Sequence, residues 1–136
     1  MIGIDTNVLV RYLVQDDKVQ SLQASTLIEE IISVDEPGFI TLITLAEAVW
    51  VLKACYGVSK TDLCSMIKML LETKQLRIEQ AESCYRALRI FESSNGDFSD
   101  ALIVTISKDA GCAETVTFDK KAQSVGMRLL STAESK

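Results

Sequence analysis

Histidine is absent from this chain of 136 residues. With it go the usual general base, the Ser-His and Cys-His nucleophile pairs and most transition-metal sites. The four cysteines, Cys55, Cys64, Cys84 and Cys112, are far apart, form no Cys-x-x-Cys pair and lie within apolar helical patterns, so they are predicted to be core thiols. No apolar run reaches the length of a membrane span, and the first residues lack the pattern of a secretory signal. A soluble, cytoplasmic protein with no membrane partner is expected. A basic excess is missing too, with 14 Lys and Arg against 19 Asp and Glu and a formal charge of -5. That argues against a surface built throughout to hold a polyanion. It leaves room for an acidic pocket that binds a cation, because the cation cancels the charge where it matters. Any catalysis must run on carboxylates, hydroxyls, amines or a hard metal ion.

What is present is an alternation of two kinds of apolar segment, without repeat, linker or low-complexity tract, and 48% hydrophobic residues cover both faces of a sheet. One domain spanning residues 1–136 is expected. Residues 2–5 read as a buried strand, and Val8, Leu9, Tyr12 and Leu13 then recur at helical spacing until Gln15-Asp16-Asp17. A second helix places Leu27, Ile28, Ile31 and Ile32 on one face. Pro37-Gly38 breaks the chain before a strand at residues 39–41, and Thr44-Leu45-Ala46-Glu47 has the form of a capping box opening a helix with Leu45, Ala48, Val49, Leu52 and Cys55 inward. Gly57 closes it, and Ser59 starts another helix whose stripe is Leu63, Met66, Ile67, Leu70 and Leu71. A strand at residues 76–78, helices over 80–92 and about 98–110, a strand at 114–118 and an edge strand at 127–130 complete the pattern.

Parallel strands joined by crossover helices predict an α/β chain, a three-layer α/β/α sandwich around a central parallel sheet of four to five strands. In such sheets ligands gather beyond the carboxyl ends of the strands. Asp5, Glu47 and Asp119 follow strands, and the Asp97/Asp100 pair opens the helix before the fourth. Each has a structural use as well: Asp5 as a helix cap, Glu47 as the partner in the Thr44 box, Asp97 as a cap with Asp100 three residues on, and Asp119 at a turn. Jointly the chemistry differs. Carboxylates that converge to about 4 Å repel by about 4 kcal/mol per pair at an effective dielectric near 20. A divalent cation compensates, and all-oxygen ligands select Mg²⁺ or Mn²⁺ over zinc.

Four stretches, Ile4-Asp5-Thr6-Asn7-Val8-Leu9, Thr44-Leu45-Ala46-Glu47, Asp97-Phe98-Ser99-Asp100-Ala101-Leu102-Ile103 and Thr117-Phe118-Asp119-Lys120-Lys121, arrive in an order that resembles the PIN-domain ribonucleases, and among them the VapC-type toxins of toxin-antitoxin pairs. That resemblance implies a PIN-like domain in which Asp5, Glu47, Asp100 and Asp119 are the catalytic quartet holding Mg²⁺ or Mn²⁺. Asp97 is either a further ligand or the cap. Thr6 or Asn7 orients a water or phosphate, and Thr117 has a supporting role. It further implies metal-dependent endonucleolytic hydrolysis of an RNA substrate and a cognate antitoxin protein that covers the acidic cleft with a basic side chain.

Arg11, Lys53 and Lys120-Lys121 lie near this acidic edge in sequence, with ordinary solvated surface as the plainer reading. Trp50 reads as core or subunit interface, and the apolar stretch 42–71 suggests a homodimer. Two alternatives use related sequences. A receiver-like phospho-aspartate domain expects adjacent acids after the first strand, and a haloacid-dehalogenase phosphatase expects Asp-x-Asp, whereas here Thr6-Asn7 follows Asp5. A catalytically idle PIN-fold interaction module has the same pattern.

Overall fold

A computed structural model describes residues 1–130; the last six residues of the expected 1–136 domain lie outside the described residues. The chain forms two compact units, Met1–Ala81 and Glu82–Lys136. Among the described residues no helix is long and apolar enough to cross a membrane.

The first unit is built on a three-stranded parallel sheet in the order β1 (Ile2–Gly3), β2 (Gly38–Ile40), β3 (Leu76–Ile78). Helices α1 (Thr6–Val14) and α2 (Lys18–Thr26) lead from β1 to β2, and α3 (Leu42–Tyr56) and α4 (Lys60–Glu72) lead from β2 to β3. Parallel neighbours need such helical crossovers, because a tight turn cannot reverse the chain twice. Gly38 packs closely at the start of the central strand: a Cβ there would meet Ile4 Cδ1 at 2.6 Å, so the side chains around it would have to shift. The core gathers Ile4, Leu9, Ile28, Ile40, Leu45, Leu52, Leu63, Ile67 and Leu70, all buried.

The fold departs from the sequence pattern in several places. A π turn at Leu27–Ile31 follows α2, closed by the Ile32 amide donating to the Leu27 carbonyl at 3.0 Å. The wider turn keeps Ile28 and Ile32 buried but carries Ile31 to the surface, where it is 60% exposed. The cap of α3, Thr41, lies three residues before the predicted one. Thr41, extended at the end of β2, accepts the Thr44 amide at 3.0 Å, and Glu79 Oε1 accepts the Leu42 amide at 2.9 Å. Thr44 is therefore interior and buried, and the Thr44–Glu47 capping box does not form. Cys55 and Cys112 are exposed and Cys64 half-buried, so the core-thiol reading holds for Cys84. Trp50 is 64% exposed and is not a core residue.

The second unit holds α5 (Ala81–Glu92), α6 (Phe98–Asp109), a short parallel pair β4 (Val116–Thr117) and β5 (Arg128–Leu129), and a 3₁₀ helix at Lys120–Val125. Phe91 and Phe98 meet edge to face, ring centres 5.7 Å apart. The five strands expected from the sequence are thus present, in one three-stranded and one two-stranded sheet, every pairing parallel. The chain is of the α/β class.

The end of α6 is clamped to α5. Arg86 donates both terminal nitrogens to Asp109, at 2.7 and 2.8 Å, and Ser83 Oγ donates to the same carboxylate at 2.6 Å. The Arg86 and Ser83 hydrogen bonds hold the Asp109 carboxyl down to about 2 from the ordinary 3.8. A depressed carboxylate stabilises the fold above its unfolded value and loses that contribution as the pH falls. Urea midpoints of the wild type are expected to fall between about pH 4 and pH 2 by more than those of Asp109→Asn, with the two curves parallel above about pH 5.

Candidate active site

Asp5 leaves β1 with extended backbone and caps α1, its Oδ1 accepting the Thr6 amide at 2.8 Å. Thr6 then turns its hydroxyl toward α3 and donates to Glu47 Oε1 at 3.1 Å. One threonine thereby ties two exposed carboxylates that are 42 positions apart in sequence. Glu47 stands in the second turn of α3, where no helix-end amide can claim it, because Thr41 and Glu79 have taken the capping work. Within this unit neither Asp5 Oδ2 nor Glu47 Oε2 has a hydrogen-bond partner among the described residues.

Asp5, Thr6, Asn7 and Glu47 line one cleft of about 820 Å³, whose other walls include Arg11, Gln20, Gln23, Val51 and Tyr56. Arg11 does not present a bare charge there. Its guanidinium donates to Gln20 Oε1 at 2.8 Å, Asp16 Oδ1 at 3.0 Å and the Tyr56 hydroxyl at 3.4 Å. The Asp16 hydrogen bond raises the Arg11 pKa. Burial tends to raise the Asp16 carboxyl, but hydrogen bonds from Tyr56 and Arg11 outweigh it and hold that carboxyl below the ordinary value. Gln20, Gln23 and Tyr56 escaped the sequence reading. Asn7 and Arg11 on α1, like Glu47 and Val51 on α3, are four apart, so the spacing could have shown their shared faces.

In the second unit Asp97 and Asp100 form a reciprocal capping box at the start of α6, with Asp100 Oδ2 accepting the Asp97 amide at 3.2 Å. Asp97 thus forms the N-cap of α6. Both are half-buried. Thr117 Oγ1 accepts the Asp119 amide at 3.0 Å, and Asp119 Oδ1 accepts the Lys121 amide at 3.0 Å, which starts the 3₁₀ helix. Asp119 is exposed, with Lys120 and Lys121 exposed beside it. Of the expected site residues, Asp5, Thr6, Asn7 and Glu47 belong to the first unit, and Asp97, Asp100, Thr117 and Asp119 to the second.

Within either unit, among the described residues, no three carboxylates or cysteines gather closely enough to hold a metal ion. The donor set nevertheless suits a hard divalent cation. It is all oxygen, it retains carboxylate oxygens that the helix caps do not occupy, and no histidine competes.

A family model described as PIN domain matches residues 2–126. The chain is also similar to a protein named VapC ribonuclease from Aquifex aeolicus (strain VF5), 23% identical over 132 residues that cover 96% of each chain.

Proposed function

The chain belongs to the PIN domain family, and we propose that it is a metal-dependent endoribonuclease acting as the toxin of a toxin-antitoxin pair. The observation that carries this reading is the Thr6 bridge, which ties Asp5 and Glu47 together on the lining of one cleft with oxygens to spare. The name of the Aquifex relative supports RNA as the substrate.

In this reading Asp5, Glu47, Asp100 and Asp119 hold Mg²⁺ or Mn²⁺, and residues 1–136 work as one nuclease domain. When bound, the cation supplies positive charge to the phosphate oxygens and to the departing oxygen. The protein's own groups do the rest. Thr6 fixes the Glu47 carboxylate and Asp5 is fixed by its own cap, so neither has to be ordered when substrate arrives. Asn7, exposed on the cleft wall, orients a water or a phosphate oxygen. Water attacks phosphorus and gives its proton to a carboxylate of the set, while the bond to the leaving ribose oxygen breaks and that oxygen takes a proton from solvent. Asp97 serves as the cap that aims Asp100, and Thr117 fixes the turn that carries Asp119.

Exposed Ile43 and Trp50, two turns apart on α3, support a homodimer through this helix. The second partner is a small antitoxin whose basic side chain enters the acidic cleft. The setting of such a pair is the cytoplasm.

Purified protein incubated with labelled single-stranded RNA is expected to give discrete fragments with Mg²⁺ or Mn²⁺, none after EDTA, and fragments again when the cation is returned. Fragments that persist in EDTA would sink the proposal. Thr6→Val, which keeps the shape but removes the donor to Glu47, is expected to slow cleavage by about ten- to a hundredfold, the usual range for losing a group that orients a ligand. Thr6→Ser should retain most of the rate, and equal rates for all three would deny Thr6 its role.

A further inference from the structure

Phe118 is 83% exposed, more than any other large hydrophobic side chain among the described residues. It is not on a loose loop. The residue before it, Thr117, is paired through its carbonyl with the Leu130 amide at 2.8 Å and through its hydroxyl with the Asp119 amide at 3.0 Å. The residue after it, Asp119, caps the 3₁₀ helix through the Lys121 amide. The backbone is thus held on both sides of the ring, so a partner finds the ring at a fixed point of the chain and has its side-chain rotamer left to order.

The neighbours indicate the partner's chemistry. Asp119 and two exposed lysines, Lys120 and Lys121, follow the ring directly. An aromatic face next to paired cations is the combination that holds a single strand, with bases on the ring and phosphates on the ammonium groups. A paired base keeps both faces stacked inside its own helix and has none to offer.

We propose that Phe118 is a stacking platform for an unpaired nucleobase of the substrate, with Lys120 and Lys121 drawing the adjoining phosphates. The inference rests on the nuclease reading and adds a residue that binds a base outside the set of carboxylates. Phe118 binds and selects; the carboxylates cleave.

The test is fluorescence anisotropy of the full chain with a fluorescein-labelled oligoadenylate of about a dozen nucleotides, in Ca²⁺ to suppress cleavage. Phe118→Ala is expected to weaken binding about tenfold, the scale of one lost base stack. Phe118→Leu, apolar but without a π face, should fall with it, and Phe118→Trp should bind at least as well as the wild type. A strand of the same length lacking its bases should bind the wild type no better than Phe118→Ala. On a duplex the wild type and Phe118→Ala should be equal. Wild-type affinity in Phe118→Ala or in Phe118→Leu would overturn the inference and leave the nuclease reading standing, as would loss of affinity for a purified antitoxin with RNA binding unchanged. A wild type that neither binds nor cleaves RNA would overturn both. Because the ring is exposed, thermal melts of the variants should overlay the wild type.

Discussion

Asp5→Asn and Asp100→Asn are each expected to lower RNA cleavage by about a hundredfold or more, the range found when a group acting in the transition state is removed. Asparagine caps helices as well as aspartate does, so the Asp5 acceptor for the Thr6 amide survives. The Asp100 acceptor for the Asp97 amide survives in the same way. What disappears is one negative charge, with the helix starts intact. The double variant is expected to be little worse than either single one, because members of one catalytic unit fail together and their losses do not multiply. Initial rates on labelled RNA with Mg²⁺, beside circular dichroism melts, decide it. Losses that multiply would mean that the two carboxylates act on separate things.

Phe98→Ala is expected to destabilise the protein by about 3–5 kcal/mol, the range for deleting a buried aromatic ring. Phe98 is 1% exposed and packs edge to face on Phe91. It is also the first residue of α6, between Asp97 and Asp100, so the ring anchors the turn that aims the second acid. The capping box contributes about 1 kcal/mol at such a helix start, much less than the ring. Urea unfolding should show the full loss for Phe98→Ala and a smaller one, about 1 kcal/mol, for Phe98→Leu, which refills most of the volume. A loss below about 1 kcal/mol for Phe98→Ala would place the ring outside the core.

Helix ends were the most legible part of the fold, because they depend on local backbone chemistry. Gly57 and Gly111 stop helices with φ of 63° and 100°, where a side chain would be strained, and Ser59 caps α4 through the Asp62 amide. The three-residue spacing of Asp97 and Asp100 announced their box in the same way. Glu47 shows where local pattern misleads. Thr44 and Glu47 have the spacing of a box, yet the helix starts at the end of β2, and only the strand's length decides which threonine caps. Cys55 faces outward, and Trp50 leaves the core for the surface, because α3 is apolar around much of its circumference, so periodicity alone does not choose the buried face. Ile31 was lost to the π turn, whose period no 3.6-residue template contains. The cleft walls Gln20 and Tyr56 depend on which helices pack beside α1, and that is a tertiary outcome.

Asp5, Asp100 and Asp119 were legible as strand-end and helix-start acids, and the donor chemistry follows from the missing histidine. The Thr6 bridge was not, since it joins residues 41 apart through a single hydroxyl. Its presence changes what Glu47 is. A residue first explained as a reciprocal cap has no capping role and is held beside Asp5.

Calorimetric titration of Mn²⁺ into the wild type and into Asp5→Asn, Glu47→Gln, Asp100→Asn and Asp119→Asn tests the central claim that these four side chains hold one catalytic cation site. The wild type is expected to bind Mn²⁺, and every single variant, whichever unit carries it, should bind at least about tenfold more weakly, a difference of about 1.4 kcal/mol. Undiminished Mn²⁺ binding in the variants of either unit would contradict a shared site.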